Sequence, residues 1–185
     1  MADGAIQTVS GRWLDPLAPD PSQIEIGDIA QALANQCRFG GHSRRFYSVA
    51  QHSTIVSDVC AERGASAAEA LAALMHDAGE AYLVDLPHPL KHRSELGPPY
   101  RKAEELLEEA IRVRFDLAPQ PAGMKPVDRS LLATERRTFA STNDPWPELE
   151  GFEPLEIEID PWGPERARAE FLERFERLDA ARRGA

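Results

Sequence analysis

The segment LAALMHDAGEAYLVDL, residues 71–86, constrains the fold more than any other part of the chain. It opens as an apolar, helix-forming run and then sets an imidazole and a carboxylate side by side at His76 and Asp77. Burying such groups is costly unless neighbours satisfy them. On a helix, adjacent side chains diverge by about 100°, so the pair reaches one common partner only in a groove between packed helices. The chain must therefore bring other helices around this segment, and a divalent cation is a partner that would satisfy them together.

The rest of the sequence supplies those helices. Asp28 is placed to cap a helix running to about residue 36, with Ile29, Leu33 and Cys37 on one face. Ser48 followed by Gln51 has capping-box spacing and opens a helix in which His52, Ile55, Val56 and Val59 keep helical spacing. Ser66 followed by Glu69 repeats the box before the helix expected to carry His76–Asp77. The proline-rich DLPHPLKHRSELGPP (85–99) predicts a loop. Further helices are expected over about 100–115, 126–140 and 164–182, the last with Phe171, Phe175 and Leu178 on one face.

Short apolar pieces at 6–9 and 13–14, and the alternating PLEIEID at 154–160, read as strands. An isolated strand is unstable, so these terminal segments are expected to pair into a small antiparallel ribbon. The expected fold class is mostly α, a helical bundle around one metal site. It forms one domain over 1–185, with a helical core at about 28–140.

Composition excludes several classes. With 185 residues, 42% hydrophobic and 28% charged, the chain reads as a soluble globular protein. A net charge of −10 argues against broad affinity for duplex nucleic acid, which needs a basic face, but not against a small phosphate ligand. Cys37 and Cys60 sit in helical apolar patterns and read as reduced core residues. The opening MADGAIQTVSG lacks a secretory pattern, and no run approaches the ~20 apolar residues of a membrane span. The expected compartment is the cytoplasm.

The search for further ligands leads to two residues. His52 shares the face of Ile55, Val56 and Val59, and Asp128 lies near the start of a later helix beside Val127 and Leu131. Two histidines and two carboxylates from three helices leave positions open for water or substrate, as hydrolysis requires. Glu80, four residues after His76, can orient or deprotonate a water, and Asp85 follows across the turn. Taken alone, His52 is more often a satisfied core residue, and Asp128 an ordinary helix-start residue.

His52, His76–Asp77 and Asp128, in that order, resemble the H…HD…D signature of the HD-domain phosphohydrolase superfamily. Within it, MHDAGEAYLVDLPHPLK (75–91) is similar to the bacterial 5′-deoxynucleotidases and the short dNTP phosphohydrolases. The resemblance implies an α-helical fold and a single divalent ion (Mn, Co, Fe, Ni or Zn) held by His52, His76, Asp77 and Asp128. It also implies that Glu80 and Asp85 handle the water and the leaving-group oxygen. The nucleotidases carry an Arg–Trp pair upstream of the first histidine for phosphate and base. This chain has Arg38–Phe39 near the corresponding place, which keeps a smaller stacking face.

Arg38, Arg44, Arg45 and Lys91 flank the ligands in sequence, and fixed cations aimed at a leaving phosphate lower its barrier. Arg38, Phe39, Arg45 and Lys91 are therefore the expected substrate-binding residues. His42, His88 and His92 read as peripheral, although His88 lies close enough to the DLP turn to line a pocket. The expected activity is hydrolysis of a deoxynucleoside 5′-monophosphate, with triphosphate release from a dNTP as the alternative. A non-catalytic metal- or nucleotide-binding module is the alternative of another class. The terminal helix's apolar stripe reads as core or dimer interface, and a homo-oligomer is expected.

Overall fold

The computed structural model describes residues 4–142 and 144–184. Among them the architecture is mostly helical. The helices are α1 (Ile26–Asn35), α2 (Val49–Glu62), α3 (Ala67–Leu74), α4 (Glu80–Leu83), α5 (His88–Arg93), α6 (Gly97–Phe115), α7 (Met124–Phe139) and α8 (Pro164–Arg183). One two-stranded antiparallel sheet precedes them, with β1 (Ile6–Gln7) paired to β2 (Trp13–Leu14) in the register Ile6 opposite Leu14.

Helix α2 is the axis of the molecule. It packs against α1, α3, α7 and α8, and most of its residues are buried. Ala50, Ser53, Ser57 and Cys60 keep its surface narrow, so neighbouring backbones approach from several sides. One apolar core joins α1, α3, α6 and α8 through Leu33, Leu71, Leu74, Leu107 and Phe171. A second lies between α2 and α7 and includes Tyr47, Val56, Val127, Leu131 and Phe139. The stripe on α8 is thus core: Phe171 is fully buried, and Arg174 donates from Nε to the Ser57 hydroxyl and from Nη2 to the Ser57 carbonyl.

Several local expectations are corrected. Helix α1 begins at Ile26, and the Asp28 carboxylate accepts from the Ser10 amide and hydroxyl at 2.8 and 2.7 Å, fastening the β1–β2 hairpin to α1 instead of capping it. The 154–160 segment forms no strand, so the ribbon comes from the N-terminal region alone. Its alternation is real, since Leu155 and Ile159 are buried in the second core. Its backbone groups, however, bond to side chains. The Leu155 amide donates to Thr134 Oγ1 at 2.8 Å, and Gln51 Nε2 donates to the Asp160 carbonyl at 2.8 Å. The expected loop at 85–99 contains α5 and the start of α6, because Pro89, Pro98 and Pro99 fall in first helical turns, where a missing N–H costs nothing.

Candidate metal centre

His76 and Asp77 do not lie on a continuous helix. Helix α3 ends at Leu74, and residues 75–79 form a turn that leads into α4. His76 contributes to that ending: Nδ1 lies 2.8 Å from the Ala73 carbonyl, one of the orphan acceptors of a helix terminus. This bond fixes Nδ1 as the donor and leaves Nε2 directed at Asp77 Oδ2, 3.1 Å away.

His52 enters from the first turn of α2, which Ser48 caps by accepting from the Gln51 amide. The second half of the expected capping box is missing. The Gln51 side chain is engaged with the Asp160 carbonyl and the Trp162 amide instead. The His52 side chain is fully buried, with Nε2 3.2 Å from Asp128 Oδ1 and 3.7 Å from Asp77 Oδ2. One ligand atom each from His52, His76 and Asp77 lies within 4.8 Å of the others. Asp128, from the second turn of α7, stands against His52 at the edge of this trio.

Sequence reasoning missed Glu135. Two helical turns after Asp128 on α7, it faces the same groove and is fully buried, with Oε1 2.7 Å from His52 Nδ1. Its spacing of seven from Asp128 was the available signal, since that interval returns to one helix face. A carboxylate behind a ligating imidazole fixes the tautomer, so that Nε2 offers its lone pair to the centre. Arg38 completes this outer layer: Nη2 and Nε lie 3.1 and 3.2 Å from Glu135 Oε2, and Nη1 is 3.8 Å from Asp77 Oδ2. The Arg38 amide donates to the Tyr47 carbonyl at 2.8 Å, holding the RFGG turn onto the entry to α2. That turn places Phe39 at φ 59°, a left-handed conformation in which a bulky residue is strained. Trp146 meets the Phe39 ring edge-on, with centroids 5.9 Å apart.

The electrostatics follow from burial and proximity. Burial disfavours ionised Asp77, but His76, His52 and Arg38 overcome it and hold the carboxyl well below its usual range. Burial likewise opposes protonated His76, yet Asp77 raises it to about 9. Burial opposes ionised Glu135, and Arg38 with His52 again overcome it. Glu80 moves the other way. Burial first, then the Asp77 and Asp85 charges, push it up to about 9.

The residues fit a divalent cation. His52 Nε2 is buried without a hydrogen bond of acceptable geometry, although two carboxylates stand beside it. An orphaned buried nitrogen is costly, and a metal ion among these donors removes the cost. Imidazole nitrogen with carboxylate oxygen suits Mn, Fe, Co, Ni or Zn.

The other expected residues divide. Glu80 is largely enclosed, its backbone carbonyl accepting from Gln36 Nε2 at 2.6 Å and its Oε2 lacking a partner. Asp85 is exposed as a residue, although partial burial of its carboxyl raises its pKa and it feels the charges of Arg38 and Asp77. Lys91 pairs with Glu104 at 2.7 Å. Arg45 is on the surface, 3.6 Å from Asp160, and is not brought to the trio. Both cysteines are free, and among the described residues no helix is long and apolar enough to cross a membrane.

No family model matches the chain. It is 40% identical over 185 residues to the uncharacterized protein YfdR of Escherichia coli strain K12, covering 97% of this chain and 98% of that protein. It is also 39% identical over 132 residues to the uncharacterized protein RCAP_rcc00048 of Rhodobacter capsulatus, covering 69% of this chain and 65% of that one. Likeness along nearly the whole length of both chains makes this protein a member of the YfdR family.

Proposed function

We propose that the chain is a metal-dependent phosphohydrolase of the HD-domain type, acting on a deoxynucleoside 5′-monophosphate. The observation that carries this reading is the convergence of His52, His76 and Asp77 around a buried, unsatisfied imidazole nitrogen, with Asp128 beside it. A divalent ion held there supplies Lewis acidity to a phosphoryl oxygen and acidifies the attacking water. The protein's own groups supply the rest.

Glu80 is the group we assign to accept the proton of the attacking water. Burial and the Asp77 and Asp85 charges raise its pKa, and a cation held beside Asp77 would offset those charges and favour the ionised form that a base needs. Asp85, raised by burial, is suited to hand a proton to the departing oxygen. Arg38 keeps Nε and Nη2 on Glu135 and turns Nη1 toward Asp77, where a phosphate oxygen gains a fixed positive partner. Phe39 offers the face on which a base would stack.

One observation favours a monophosphate over a triphosphate. A triphosphate needs several uncommitted cations, whereas Lys91 is bound to Glu104 and the surrounding groups include Asp85, Glu104 and Glu108. The test is a hydrolysis screen of the four dNMPs and four dNTPs with Mn, Co, Ni, Fe or Zn supplied in turn. Orthophosphate from a dNMP is the expected result, and triphosphate from a dNTP would select the alternative. No turnover with any metal would overturn the reading. Glu80→Gln separates an enzyme from a structural metal pin: turnover falls about 100-fold or more while bound metal stays unchanged.

A further inference from the structure

Five histidines occur in the chain, and two of them remain outside the buried centre in a single helical turn. His88 and His92 lie four residues apart on α5, on one helix face. Both are exposed, and their ring centroids are 4.4 Å apart with the planes tilted by 39°. Neither makes a hydrogen bond or ion pair among the described residues. By contrast, His52 and His76 are each tied by one ring nitrogen and aimed inward by the other.

We infer that His88 and His92 form a second metal site, an exposed two-imidazole chelate for a borderline divalent ion such as Ni, Cu or Zn. Rings one turn apart on the same helix face let one nitrogen of each approach a common ion at about 2.0–2.1 Å. Imidazole-only donors favour this part of the metal series over Mg or Ca, which want oxygen. The surroundings are mixed in charge. Lys91 and Arg101 oppose a cation, and Glu104 on the facing helix favours one. Solvent supplies the remaining coordination positions at so open a place. The site is independent of the hydrolase reading, because neither ligand belongs to the centre between α2, α4 and α7.

Retention of the untagged chain on immobilised Ni tests the inference directly. A resin-bound ion cannot reach the His52 side chain, which has no exposure, or that of His76, which has 7%. The unaltered protein should bind and elute only with added imidazole. His88→Gln and His92→Gln should each lower apparent Ni affinity about 100-fold or more, because a bidentate contact becomes a single one. His42→Gln should leave retention unchanged. Elution of the His88→Gln/His92→Gln protein together with the unaltered chain would overturn the inference, as would loss of retention in His42→Gln alone. A second readout does not depend on the resin: Ni should slow amide exchange in residues 88–94 of the unaltered protein and not of the double variant. Equal exchange in both would also refute the site.

Discussion

Replacing Glu135 by alanine removes one partner from a pair of charges held almost entirely out of water. Glu135 has no exposure and Arg38 has 15%, with nitrogen–oxygen separations of 3.1 and 3.2 Å. The substitution leaves the guanidinium facing Asp77 alone and deprives His52 Nδ1 of its acceptor. Breaking a buried pair from one side costs about 3–5 kcal/mol. In a chain of this size each kcal/mol moves the melting temperature by about 2–4 °C, so the expected drop is about 6–20 °C. Urea unfolding of Glu135→Ala, Arg38→Met and the Arg38→Met/Glu135→Ala double variant isolates the interaction. The double variant should be less destabilised than the sum of its parts by about 1–3 kcal/mol, because it leaves no charge unpaired. A Glu135→Ala protein within about 0.5 kcal/mol of the unaltered chain, or a strictly additive double variant, would refute the reasoning.

Three further outcomes are expected. Phe171→Ala empties a fully buried position where α8 meets the first core and should cost about 3–5 kcal/mol by urea titration. On α8, burial opposes ionised Asp179, but Arg183 and Arg182 outweigh it and keep the carboxyl below its usual range. A carboxyl lowered by folding stabilises above its unfolded pKa and loses that effect as pH falls through the folded value. The melting-temperature advantage over Asp179→Asn should therefore narrow between about pH 6 and about pH 3. Mn or Co present at 100 times its dissociation constant should stabilise the chain by about 2.7 kcal/mol. In His52→Gln, calorimetry should find most of that gain gone.

Much of the fold is legible because helices announce themselves locally. Ser66 and Glu69 form the full capping box their spacing predicts, and Phe171, Phe175 and Leu178 occupy the core. What stayed hidden depends on partners far away in sequence. The alternation at 154–160 marks which residues are buried but not what their backbone bonds to, and the answer is side chains of α2 and α7 rather than another strand. Gln51 looked like the second half of a cap, yet its amide joins a segment more than a hundred residues on. The HD pair looked helical because Leu, Ala and Met precede it, whereas the His76 imidazole itself helps to end the helix. At the centre, the convergence of His52, His76 and Asp77, with Asp128 beside His52, was readable from spacing. Glu135 was not, because a single glutamate among arginines on an amphipathic helix looks like surface until α2 is packed against it.

The length of chain just ahead of α8 has an effect that its irregular shape conceals. It is anchored at Gln51 and Thr134, the immediate neighbours of His52 and Glu135. Two grips, each one residue from a member of the imidazole–carboxylate couple, make this stretch a brace that sets the spacing of α2 and α7. Cleaving the backbone between 150 and 160 would therefore widen the candidate metal centre from behind, with each of its side chains still present.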